Sequence, residues 1–86
     1  MIANGNIRKK HYFAALDSYL EDLENAQELY LMTENLRQQY LGSRFCSTPQ
    51  GKNEVQEIGG ELLRIQERIN KINESIRQTK VFLSIN

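Results

Sequence analysis

From Val55 onward the apolar residues fall on alternating steps of three and four: Val55, Ile58, Leu62, Ile65, Ile69, Ile72, Ile76, Thr79 and Leu83. Eight of these nine positions are apolar, whereas among the twenty residues between them only Leu63, Val81 and Phe82 are. A 3-4 alternation held over four heptads predicts a helix that packs along a narrow seam against another helix. Upstream, no Pro or Gly interrupts the chain from Ile7 to Leu41, and good helix formers dominate. The apolar stripe there runs through Tyr12, Leu16, Tyr19, Leu23, Ala26, Tyr30, Thr33 and Tyr40, broadened by Phe13, Leu20, Leu29 and Leu36. That wider stripe predicts a helix touching more than one neighbour.

The boundaries follow from local chemistry. Asn4-Gly5-Asn6 favours a turn, so residues 1–6 are expected to be a flexible lead-in with Asn6 as the N-cap. Gly42 sits just past the last periodic residue of the first helix, where a left-handed C-terminal cap needs no Cβ. Ser47 or Thr48 followed by Pro49 reads as an N-cap followed by proline at the first helical position. A single helical-hairpin domain over 7–86 results, with helices over about 7–41 and 49–84 and a loop at 42–48. Gly51 and the Gly59-Gly60 pair weaken the start of the second helix. Val55 and Ile58 keep the heptad phase, so the helix is expected to run through the pair, which would mark a kink or a close helix–helix approach. The alternative is a frayed or separate segment over 49–60.

A short connection makes two long helices antiparallel neighbours. The acidic residues Asp17, Glu21, Asp22, Glu24 and Glu28 are then expected to face Arg68, Arg77 and Lys80. One hairpin leaves half of each stripe wet, and Ile at both seam positions suits higher-order packing. The expected fold is therefore all-α: an antiparallel hairpin that dimerises into a four-helix bundle, with itself or with another small helical protein. Leu16, Tyr19, Leu23, Tyr30, Ile58, Leu62, Ile65, Ile69, Ile72 and Ile76 are the expected oligomer or partner interface. The four tyrosines all lie near the stripe of the first helix, at the edge of a helix interface.

Composition narrows the function more than it names it. Eleven basic and eleven acidic residues among 86 cancel, so no global charge draws the chain to nucleic acid or anionic membrane. The lone Cys46 permits no intrachain disulfide, and one Cys with one His makes no four-ligand zinc site. Apolar runs are too short to span a bilayer. Arg8-Lys9-Lys10 precedes no uninterrupted apolar segment and no small-residue cleavage site, so a cytoplasmic location is expected, or export without a cleaved leader.

Candidate chemistry is sparse. His11 has Ala14 and Ala15 at helical spacing and nothing to orient it as a base. Cys46 lies beside Arg44 and Phe45, where a half-buried thiol is expected. Asp17, Glu21, Glu24 and Glu28 share one helix face; without a Glu-x-x-His pair they read as a solvated acidic face or a docking site for a basic partner. No phosphate loop, metal-ligand spacing or nucleophile elbow occurs, so no cofactor, metal, small-molecule substrate or enzymatic activity is expected.

The remaining readings are a non-enzymatic interaction module (an adaptor, small chaperone or regulatory subunit) and a small nucleic-acid-binding regulator using Arg8, Lys9 and Lys10. A helical-hairpin dimer with basic helix ends is similar in outline to the small plasmid regulator that clamps paired RNA loops. Tyr40-Leu41-Gly42 lies where the ESAT-6-like secreted hairpins carry a Trp-x-Gly turn, and in that respect the chain resembles them. The resemblance implies a secreted helical hairpin. It departs in having Tyr for Trp, and in placing its Tyr30-to-Glu34 spacing inside the first helix rather than after the second.

Overall fold

The computed structural model describes the backbone of residues 2–85 and the side chains of 9–84. Two long helices, α1 (Ile2–Leu41) and α2 (Pro49–Ile85), are joined through a short 3-10 turn at Arg44–Ser47. They pack side by side as a rod whose Cα trace measures 67 × 15 × 14 Å.

The seam of the sequence is the seam of the hairpin. Ile58, Leu62, Ile65, Ile69, Ile76 and Thr79 of α2 are buried, and Ala26 of α1, at 1% exposure, is the most enclosed residue. Ala26 packs with Ile65 and Ile69, and Leu23, Tyr30 and Ile72 close around them. A small residue near the middle of α1 leaves room for Ile65 and Ile69 of α2 to pack against it, where each close apolar contact adds dispersion attraction. One antiparallel register results, setting Leu23 level with Ile72, Ala26 with Ile69 and Tyr30 with Ile65. At the far end the Tyr12 and Phe82 rings stack at 5.4 Å and 7°. Thr79, the one polar seam residue of α2, donates its hydroxyl to the Ser75 carbonyl at 2.8 Å and so is satisfied where it is buried.

Several local expectations are corrected. Helix α1 begins at Ile2, not after an Asn6 cap, and runs through Asn4-Gly5-Asn6. Extending an established helix forms one hydrogen bond per residue fixed, which offsets the poor propensity of those residues. Met1, the first residue of the expected lead-in, lies outside the described residues. Gly42 does not adopt a left-handed cap, since no residue among those described has positive φ. Its N–H instead donates to Gln38 O at 3.0 Å, and Ser43 closes the end by donating its N–H and hydroxyl to Tyr40 O at 3.2 and 2.9 Å.

Thr48 and Pro49 behave as their residue types require. The Thr48 hydroxyl accepts the Gly51 N–H at 3.0 Å and donates to the Phe45 carbonyl at 2.7 Å, locking the start of α2 onto the turn. Gly51 is buried because the backbone of Phe45 and Cys46 crosses directly over it; a Cβ there would overlap the Phe45 carbonyl group. Gly59 and Gly60 are the reverse case. Helix α2 runs through them unbroken, and a Cβ on either would meet nothing within 4 Å. The close approach falls at Gly51, and α2 runs through Gly59-Gly60 as the kept heptad phase leads one to expect.

The expected electrostatic match between helices is also corrected. The ion pairs among the described residues are local to α2: Glu61–Arg64 at 2.7 Å and Glu74–Arg77 at 2.6 Å. Side chains three residues apart meet without any help from the neighbouring helix. Asp17, Glu21, Glu24 and Glu28 are exposed, not turned into the seam that α2 occupies.

Ile69→Asp should abolish the fold, because an unpaired charge in this seam costs several kcal/mol, about the whole stability of a small domain. Far-ultraviolet circular dichroism should show most helicity lost; a retained cooperative melt would mean the seam is not the core. Gly59→Ala or Gly60→Ala should each stabilise by about 1 kcal/mol in urea melts, because Ala outranks Gly in a helix interior. Gly51→Ala should destabilise despite the same gain in propensity, since the turn would have to move away.

Candidate interaction surface

The ten residues expected to form an oligomer interface lie along the seam of the hairpin. Ile58, Leu62, Ile65, Ile69 and Ile76 are buried there, and Leu16, Tyr19, Leu23, Tyr30 and Ile72 are half-buried along the same seam. The sequence pattern specifies that these residues face a helix; the short turn makes that helix the other half of the same chain. All four tyrosines are half-buried at its edge, ring inward.

What remains exposed is a different apolar set. Phe13, Leu20, Leu29, Leu31, Met32, Leu36 and Leu41 on α1, and Leu63, Val81 and Phe82 on α2, are between 44% and 68% exposed. Helical spacing sorts them into two flanks of the rod. Leu29, Met32 and Leu36 lie on one. Leu31 and Leu63, exposed by 64% and 68%, lie on the other. The second flank carries a pair of adjoining grooves. One, of about 460 Å³, is lined by Gln27, Tyr30, Leu31, Gln66 and Ile69. The other, of about 270 Å³, is lined by Tyr30, Arg37, Gly59, Leu62, Leu63 and Gln66.

Arg37 occupies the seam step between Thr33 and Tyr40, a position that a reading for apolar residues passes over. Its Nε is buried and makes no hydrogen bond. The other candidates for chemistry stand apart from one another. His11 is exposed. The Cys46 thiol is half-buried and points at Leu41 O, 3.5 Å away, while Phe45 leans onto Tyr40 at 5.8 Å. Lys9 is half-buried and Lys10 exposed, whereas the Arg8 side chain lies outside the described residues. Asp17, Glu21, Glu24 and Glu28 are all exposed, and no cluster of three potential metal ligands occurs among the described residues. The Arg77 guanidinium bonds the Glu74 carboxylate and holds it below the usual carboxylate range. The stability it lends is therefore present above that range and lost as pH falls through it. This pair is fully solvated and lies on the outside of the rod.

Among the described residues, no helix is long and apolar enough to cross a membrane. Comparison with known protein families, with characterised proteins and with solved structures finds no match. The exposed apolar flanks are thus the feature of this chain that most needs a physical account.

Cys46→Ser should leave helicity and melting nearly unchanged, within about 0.5 kcal/mol, because a weak sulfur contact is replaced by a hydroxyl in the same turn. A large fall in melting temperature would show that the thiol is a packing element of the turn.

Proposed function

We propose that the chain is a non-enzymatic protein-interaction module, an adaptor, small chaperone or regulatory subunit that acts through helix–helix packing in a homo- or hetero-oligomeric bundle. The observation that carries this reading is the exposed apolar set. After the seam is closed, large side chains such as Phe13, Leu20, Leu29, Leu31, Met32 and Leu63 still face water, while no large side chain among the described residues is fully enclosed. Two helices give each residue at most one neighbouring element, so the core stays thin and the flanks stay wet. A third and fourth helix would cover both. Contiguous exposed apolar surface of this kind marks a site of association.

The rival reading, a nucleic-acid regulator using Arg8, Lys9 and Lys10, gains less. The chain has no net charge, and exposed acids lie about two to three turns along the same helix. Phosphate binding scales with the number of cations that release counterions, and this cluster offers few.

Sedimentation velocity tests the proposal. Wild type should sediment as a dimer or larger at micromolar concentration, or else retain one stoichiometric protein in a pull-down from its native cells. A chain that is monomeric, cooperatively folded and free of such a partner would overturn the reading. Submicromolar nucleic-acid binding at about 150 mM salt, abolished by replacing Arg8, Lys9 and Lys10 with Gln, would install the rival.

A further inference from the structure

The two flanks of α2 differ in a way that the seam does not require. On one side, Glu54, Glu57, Glu61, Arg64, Arg68 and Lys71 follow one another at steps of three and four, and all six are charged. On the other, Gln56, Gly59, Leu63, Gln66, Asn70 and Asn73 follow the same steps over the same turns, and none is. The structure ties the uncharged line to the grooves, which Gly59, Leu63 and Gln66 line. Depletion of charge, not bulk hydrophobicity, distinguishes the centre of a protein interface from the rest of a surface. An isolated hairpin would have no reason to keep six consecutive flank positions neutral on one side only.

We propose that this neutral face is the interface for a second copy of the chain, with α1 of each copy laid antiparallel on α2 of the other. The proposal rests on the interaction-module reading and names its partner. Charge complementarity selects the occupant and the arrangement. On this side of the rod the charges of α1 from Phe13 to Leu41 are all acidic: Asp17, Glu24 and Glu34. Those of α2, at the ends of the neutral line, are all basic: Lys52, Arg77 and Lys80. A twofold axis along the rod brings Asp17 level with Arg77 and Lys80 of the second copy, at both ends of the dimer, and lays Glu24 and Glu34 over the uncharged middle of its α2. A twofold across the rod stacks acid on acid and base on base, which like-charge repulsion disfavours.

The same axis places Leu31 on the second copy's Leu63, and Leu63 on its Leu31. These two leucines are the most exposed large apolar residues described. They sit level with each other in the intrachain register, so the twofold gathers four leucines at one height. A face of 67 by 15 Å offers about 1,000 Å², against the roughly 800 Å² per partner of a standard stable interface.

The test uses full-length chain and two pairs of substitutions, each conservative toward the intrachain seam because the residues are exposed. Leu31→Glu with Leu63→Glu should weaken dimerisation about thirtyfold or more in sedimentation velocity, with helicity retained. Leu29→Glu with Leu36→Glu, on the charged flank, should change it by less than about threefold. The reverse pattern would put the dimer on the charged flank, overturning this inference and sparing the interaction-module reading. A wild type that is folded and monomeric would also overturn it, and the pull-down would then decide that broader reading separately. The arrangement has its own readout. In a Cys46→Ser background, Leu31→Cys and Leu63→Cys chains should form a disulfide dimer when mixed and mildly oxidised, and neither should do so alone. Self-linking of each chain, with no mixed product, would replace the axis along the rod by the one across it.

Discussion

Everything in this molecule depends on one contact line, the 3-4 seam at which α2 presents isoleucines to a narrow stretch of α1. With a single helix–helix interface there is no second layer to absorb an error. Packing around Ala26, Ile65 and Ile69 holds the register, and that register sets which side chains reach the flanks. A larger residue at Ala26 would push the helices apart at their midpoint, and the loss would spread along the rod because each seam residue has only the seam to pack against.

The same constraint accounts for what is left outside. A helix with an apolar stripe wider than one seam cannot hide it against one neighbour, and α1 has such a stripe. Phe13, Leu20, Leu29 and Leu36 broaden it in the sequence and stay exposed in the structure. The excess is therefore not a packing fault but surface directed outward on both flanks, Leu29 and Leu36 on one and Phe13 and Leu20 on the other, and only the second of these adjoins the charge-free line on α2. Arg37 fits this picture: it stands in the seam with its Nε buried and bonded to nothing, at the margin of the groove on the neutral flank.

The turn shows how backbone geometry, not side-chain periodicity, fixes the hairpin's closed end. Thr48 caps α2 and ties back to Phe45, while Gly51 lets the turn backbone cross at contact distance. Gly42 ends α1 without any left-handed residue because Ser43 takes over the Tyr40 carbonyl. These arrangements depend on which backbone atoms happen to cross. Residue type alone therefore pointed to a cap at Ser47 or Thr48 before Pro49, which Thr48 supplies, but also to a left-handed Gly42 and a close approach at Gly59-Gly60 that the structure does not have.

By itself the sequence determined the helices, their antiparallel pairing and the seam, since a 3.5-residue apolar repeat on a chain with one short break admits little else. Tyr12 through Tyr40 and Val55 through Leu83 were legible as contact positions for that reason. Their partner was not, because periodicity says that a face is buried and never against what. Only the tertiary structure decided that the seam closes within one chain. Leu31 and Leu63, which no stripe includes, thereby became the candidate surface. The start of α1 at Ile2 was equally out of reach, because helix ends depend on a balance of about 1 kcal/mol per residue that an established helix can tip. The two flanks of α2 were written in the sequence throughout, but they acquired a meaning only once the structure showed which of them borders the grooves.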